Sequence, residues 1–167
     1  MAGGDAHGWP RQSWEWLATW CGTGYLPKAP GSWASLAALP PAWLIQVTMG
    51  TTALFAAAAV LFAAGLWAAA RFLSETDESD PSAIVIDEVA GQFLTLLAVP
   101  PTILGYGIGF LLFRFFDIAK PWPIRAIERR VAGAAGVMLD DVAAGVYAWA
   151  MLLLLRLLIP LPGTGFP

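Results

Sequence analysis

Long apolar runs alternate with short polar breaks along this 167-residue chain, and the breaks divide it into helices. From Ala29 to Ala70 there is no charged residue at all. Pro40-Pro41 and Gly50 cut that stretch, which predicts helices over 33–48 and 51–73. The second is long enough to cross a bilayer, for which ~20 residues suffice. Residues 74–82, SETDESDPS, form the main polar break. Asp80-Pro81 has the form of an N-cap followed by proline in the first turn, so a helix is expected from Pro81 to Val99, where Pro100-Pro101 ends it. A further apolar helix is expected from Thr102 to Ala119, stopping before Lys120-Pro121. Then comes a basic segment with Arg125, Arg129 and Arg130, broken by GAAG at 133–136. Asp140 or Asp141 is expected to start the last apolar helix, which runs to about Ile159 and is interrupted only by Arg156.

Trp14, Trp16, Leu17 and Trp20 have amphipathic-helix spacing within 12–22, which suits either an interfacial helix or a core helix. No strand-period alternation occurs, so the expected fold is all-α. It is a compact helical bundle, one domain over 1–167 with 1–11 as a flexible leader, embedded in a membrane through apolar hairpins. The arms 89–99 and 102–113 are each too short to cross ~30 Å of hydrocarbon, so they form a shallow hairpin.

Composition agrees with the pattern. Hydrophobic residues make up 58% and charged residues 13%, against about 25% charged in an average soluble domain. Net charge is −3, which disfavours nucleic acid as a partner. Cys21 is the single cysteine, so an intrachain disulfide is excluded and a small buried apolar role is expected. His7 is the single histidine and lies in the polar leader. The leader carries Asp5 and lacks the apolar core of a signal peptide.

Against this apolar background the carboxylates stand out. Asp87-Glu88 and Asp140-Asp141 are adjacent acid pairs at the mouths of apolar runs. Asp80, Asp117, Lys28, Arg114, Lys120, Arg125, Arg129 and Arg130 also border apolar segments. A charge at mid-bilayer costs roughly 2.5–3.5 kcal/mol, so such groups persist where water, a partner or function offsets the cost. Helix-dipole preference accounts for one acid near a start, not for adjacent pairs.

Clustered carboxylates suit a hard divalent cation, and nearby Arg and Lys suit phosphate. Mg²⁺ typically takes one or two carboxylates and fills its shell with water and phosphate oxygens. Asp87 with Gly91, and Asp141 with Gly145, lie four apart on one helix face. Glycine there lets a second helix approach and turns the carboxylate toward the bundle. Arg114, Asp117 and Lys120 form a ridge at spacings of three, which suits a site or a local ion-pair network. The loop TGYLPKAPGSWAS offers backbone N–H groups where Gly31 or Ser32 precedes a helix, with Lys28 as an added charge. No histidine lies among the apolar segments, and neither an Asp-x-Asp nor a Cys-x5-Arg motif occurs. Attack by a metal-positioned water is the simplest phosphate chemistry that remains.

PKAPGSWASL, DPSAIVIDEVAGQ, FRFFDIAKPWPIR and GVMLDDVAAGVYA, in this order and spacing, resemble the phosphatidylglycerophosphatase A family. The resemblance covers about Trp16 to Leu154, with Ala34 standing where a second glycine is often found. It implies a helical fold and Mg²⁺-dependent hydrolysis of phosphatidylglycerol phosphate to phosphatidylglycerol and inorganic phosphate. It also implies a phospholipid substrate and the bacterial inner membrane as the location. The family's motif acids fall on Asp80, Asp87, Glu88, Asp117, Asp140 and Asp141, and its motif cations on Arg114 and Lys120, with Lys28 in the loop block. Within that set the roles are our inference: Asp80, Asp87, Glu88 and Asp141 are expected to hold metal. Asp117 or Asp140 is expected to be the general base. Lys28, Ser32, Arg114 and Lys120 are expected to hold the substrate.

Two rivals remain. A non-catalytic protein that binds or transports divalent cations would line a path with the same acids, but buried at mid-helix. A soluble helical phosphatase would use its apolar helices as core. The positive-inside rule, applied to 114–130, puts the site on the cytoplasmic face. Oligomeric state and headgroup selectivity stay open.

Overall fold

The computed structural model describes residues 10, 12–76 and 81–158. They form eight α-helices and one short 3-10 turn, with no strand among the described residues. The all-α expectation therefore holds.

The helix α1 spans Ser13–Ala18, and the Glu15 carboxylate accepts the Gln12 N–H at 3.3 Å to close its first turn. Trp14 packs edge-on against Phe72, with ring centroids 5.7 Å apart. Trp14 and Ala18 are buried while Trp16 is 42% exposed, so α1 is a packed helix with one outward tryptophan. Cys21 follows it, exposed and in the left-handed region at φ 58°, which corrects the expectation of a buried residue.

The expected 33–48 helix is two helices, α2 (Pro30–Ala37) and α3 (Leu39–Met49), which meet at Ala38 just before Pro40-Pro41. Gly50, at φ 86°, turns the chain into α4 (Thr51–Ser74), and α3 packs back against α4 as the expected hairpin. α5 spans Ile86–Leu96. It starts five residues later than Pro81 because residues 81–85 lie against the α1 turn. There the Val85 N–H donates to the Ala18 carbonyl at 2.9 Å, and Gly24 abuts the Ala83 backbone. The proposed Asp80 cap lies outside the described residues.

α6 spans Ile103–Ala119, capped by Thr102, whose hydroxyl accepts the Gly105 N–H at 3.1 Å. α7 spans Ile124–Arg130. α8 spans Gly133–Leu158, so it begins seven residues before Asp140, and GAAG lies inside it rather than breaking it. With alanine at 134 and 135 and only Val131 and Ala132 between α7 and Gly133, the chain needs no break there; Gly133, at φ 70°, makes the turn.

α5 is the centre of the bundle. Nine of its eleven residues are buried, against α2, α4, α6 and α8. α4 and α8 are the two helices long and apolar enough to cross a membrane by length and composition. At 1.5 Å per residue they extend about 36 and 39 Å. Their outer faces, with those of α3 and α6, carry exposed Phe55, Val60, Trp67, Leu44, Leu111, Phe115 and Leu157. An apolar surface of that extent marks an interaction site, here matching lipid.

At the end of the bundle away from Asp87, polar groups are internally paired. Gln46 donates to the Val99 carbonyl at 3.0 Å and accepts from the Tyr106 hydroxyl at 2.8 Å. Arg156 donates to the Ala98 carbonyl at 2.7 Å, at the C-terminal end of α5 where a helix dipole favours a cation. That explains how Arg156 is accommodated in an apolar helix.

Candidate active site

The site is built on the crossing of α5 and α8. A Cβ on Gly91 would stand 2.6 Å from the Asp141 carbonyl oxygen, and one on Gly145 would stand 2.6 Å from the Gly91 carbonyl oxygen. The two backbones are therefore in direct contact, which only glycine allows on both sides. Thr95 seals the crossing from the next turn, its hydroxyl donating to the Gly91 carbonyl at 2.9 Å. One turn toward the other end, this contact brings Asp87 and Glu88 together with Asp141.

Asp87, Glu88 and Asp141 each offer a carboxylate oxygen, all within 4.8 Å of one another. Asp117, from α6, reaches the Asp141 carboxylate. Asp87 is raised well above the usual carboxylate range, by burial first and then by the negative charges of Glu88 and Asp141. Glu88 is raised as well, again chiefly by burial. Anions gathered this closely call for a compensating positive charge.

Arg114 supplies part of it. Its Nη1 pairs with Asp117 Oδ2 at 2.6 Å and lies 3.9 Å from Glu88 Oε1. Its Nη1 also donates to the Ser35 hydroxyl at 3.4 Å, and Ser35 in turn donates to the Gly31 carbonyl at 2.8 Å. Gly31 lies directly against the Glu88 carboxylate, so a Cβ there would push that side chain out of its present position. The loop block thus reaches the site through Gly31 and Ser35. Ser32 is half-buried beside them, and Lys28 is exposed in the loop before α2.

Asp140 faces elsewhere. Lys120 closes α6 in the left-handed conformation, φ 42°, and its ammonium bridges Asp140 at 2.7 Å and Glu128 at 2.8 Å. Burial opposes its charge, yet the two carboxylates outweigh that and raise its pKa. Asp80 lies outside the described residues.

The donor set fits a hard divalent cation. All the ligating atoms are carboxylate oxygens, and Glu88 Oε2 is buried without a hydrogen-bond partner. Two more buried groups lack partners, the Arg114 Nε and both amide atoms of Gln92, which is fully buried one turn after Glu88. Ser35 and Gln92 were not singled out from the sequence. The spacing of four between Glu88 and Gln92 was the available signal for Gln92, and Ser35 had none.

The family model of phosphatidylglycerophosphatase A matches residues 16–156. The chain belongs to that family. It is therefore a phosphoric monoester hydrolase. It is 41% identical over 150 residues to a putative phosphatidylinositol-3-phosphatase of Bacteroides thetaiotaomicron, covering 86% of this chain and 93% of that one. It is 35% identical to the phosphatidylglycerophosphatase A of Haemophilus influenzae, over 79% of this chain and 82% of the relative. It is also 35% identical to that of Escherichia coli K12, over 83% and 81%. No solved structure matches the chain.

Proposed function

We propose that this protein hydrolyses phosphatidylglycerol phosphate to phosphatidylglycerol and inorganic phosphate, with Mg²⁺ held by Asp87, Glu88 and Asp141. One observation carries the reading: buried carboxylates, Arg114 and Lys120 converge at one end of an otherwise apolar helical body. From Asp141 to Arg156 that body extends about 22 Å along α8. A lipid phosphate has the same layout, with its phosphate just above its acyl chains.

A bound divalent cation would supply Lewis-acid polarisation of the phosphoryl group and lower the pKa of a water beside it. Arg114 holds the phosphate, since its buried Nε is a charged donor without a protein partner. Asp117 accepts the proton of the attacking water, being the acid that touches both Asp141 and Arg114. Asp140 holds Lys120 in place beside the leaving side of the substrate. Asp140, taken up by Lys120, is less well placed to act as the base than Asp117. Lys28, in the loop before α2, and Ser32, in the first turn of α2 beside the Gly31 that abuts Glu88, meet the substrate headgroup.

The membrane is the bacterial inner membrane, with the site on the cytoplasmic face beside the basic segment 114–130. The test is phosphate release from purified protein in mixed micelles, offered phosphatidylglycerol phosphate, phosphatidylinositol 3-phosphate and phosphatidic acid. Release from the first should dominate, stop with EDTA and return with Mg²⁺. Full activity after complete metal removal sinks the metal assignment, and preference for phosphatidylinositol 3-phosphate sinks the substrate. Labelling of Ala126→Cys from the periplasmic side alone, in a Cys21→Ser background, sinks the topology.

A further inference from the structure

Beyond the carboxylate cluster, the turn from α6 into α7 carries a second concentration of charge. Residues 120–130 hold Lys120, Arg125, Arg129 and Arg130 against the single acid Glu128. Lys120 takes up Glu128, together with Asp140. The three arginines are exposed and have no carboxylate partner among the described residues. Arg125 donates only to the Ala119 carbonyl, at 3.3 Å. Between them and Trp122 lies a cavity of about 390 Å³, lined by Lys120, Trp122 and the three arginines. That is room for a phosphorylated headgroup.

The orientation of this pocket follows from α8. The Tyr147 hydroxyl donates to the Trp122 carbonyl at 3.0 Å, which fixes Trp122 beside α8. Tyr147 lies six residues past Asp141, about 9 Å toward the apolar end of the helix. Arg129 and Arg130 instead share a cleft with Glu128, Gly133, Gly136 and Asp140, which runs from the carboxylate level away from the apolar end of α8. Trp122, 82% exposed, and Ile118, 72% exposed, thus sit on the apolar side, Arg125 lies level with them at the Ala119 carbonyl, and Arg129 and Arg130 stand above. Indole at the lipid boundary with guanidinium groups one step outward is the arrangement that meets a phospholipid headgroup. A merely solvated basic face would have no reason to keep Trp122 and Ile118 exposed on its lower edge.

We infer that Trp122, Arg125, Arg129 and Arg130, adjoining the proposed substrate site through Lys120, form a binding pocket for the phosphodiester of an anionic phospholipid that lies outside the Asp87–Glu88–Asp141 cluster. The indole packs on the glycerol backbone while the guanidinium groups pair with the diester oxygens. The pocket would seat the catalytic end of the bundle on an anionic bilayer.

Thermal unfolding of the full chain in neutral detergent tests this without any hydrolysis, so the result is separable from the proposed activity. Dihexanoyl phosphatidylglycerol should raise Tm saturably, whereas dihexanoyl phosphatidylcholine and inorganic phosphate should not. Each of Arg125→Gln, Arg129→Gln and Arg130→Gln should weaken the apparent affinity by roughly fivefold, the worth of one cation near an anionic surface. The triple Arg→Lys variant should keep most of the shift, which guards against a folding artefact. Asp87→Asn should also keep it, because the ligand is not in the carboxylate cluster. An unaltered shift in the triple Arg→Gln variant overturns the pocket. So does loss of the shift in Asp87→Asn, which would place the lipid at the active site. An equal shift from inorganic phosphate or phosphatidylcholine overturns the anionic-lipid assignment.

Discussion

α4 and α5 lie side by side and are built on opposite rules. α4 has 24 residues, none acidic, and buries five of them. α5 has eleven, carries Asp87, Glu88, Gln92 and Thr95, and buries nine of the eleven. In a protein surrounded by water the polar helix would be the outer one. Here the apolar helix faces outward and the polar helix is enclosed, which is the order expected when the surroundings are hydrocarbon. The contact between them is made by small residues. Gly65 of α4 receives Met138 and Ile86, so the long helix comes close enough to cover the start of the short one. The candidate site draws Asp87 and Glu88 from the enclosed helix, where partners surround the carboxylate cluster.

The largest expected effect comes from removing the charge that the enclosed helix shelters. Asp87→Asn and Asp141→Asn should each lower kcat by roughly 10³-fold, since a metal-centred contribution is worth several kcal/mol. Circular dichroism should stay unchanged, and the exposed Glu75→Gln should be near neutral in the same phosphate-release assay. Equal losses in Glu75→Gln would mean that the effect is general charge loss rather than the site.

Reversing the outer helix comes next. Val60, 66% exposed on α4, changed to Arg should cost roughly 2.5–3.5 kcal/mol of insertion if it faces lipid. Membrane-fraction yield should fall accordingly. Undiminished yield, with the protein extracted without detergent, would return α4 to the rank of a soluble core helix.

The α5–α8 crossing gives a smaller effect and an internal control. Gly145→Ala inserts a methyl 2.6 Å from the Gly91 carbonyl, an overpacking that typically costs 1–3 kcal/mol. Tm and turnover should both fall. Gly107→Ala on α6 has nothing within 4 Å of its added Cβ and should leave both within error or raise Tm slightly.

Gln92→Leu should have the smallest effect on stability and is the most discriminating. A buried amide without partners costs about 1–3 kcal/mol, so an apolar replacement of similar size should hold or raise Tm. If the amide is kept for a water or substrate group in the site, turnover should fall at the same time. Unchanged turnover with raised Tm would make Gln92 a packing residue.

How much of this was legible without coordinates depends on the distance over which each feature acts. Helix existence was legible, because apolar runs and Pro or Gly breaks are local; Thr102 and Ala119 bracket α6 as expected. The Asp87–Gly91 and Asp141–Gly145 spacings were legible too, because four residues is one helical turn. Their meaning, two glycines in backbone contact across α5 and α8, was visible only as an expectation that some helix would approach. Boundaries set by partners were not legible. α5 begins at Ile86 because Ala18, far away in the chain, holds Val85. α8 begins seven residues before Asp140 because α7 packs beside it and Gly133 makes the turn.

The sequence by itself determined the all-helical apolar body, the family and the set of acids and cations that could do chemistry. Those follow from composition, one-turn spacing and ordered motifs, which need no third dimension. Tertiary structure alone decided how that set divides. Adjacent residues on a helix point about 100° apart, and the crossing angles choose which of them meets what. Asp141 turned to Asp87 and Glu88, while Asp140 turned to Lys120. Glu88 escaped the same separation from Asp87 because its longer side chain reaches back to the cluster. Ser35 and Gln92 entered only through packing, since a serine and a glutamine carry no signal until a buried arginine or carboxylate stands beside them.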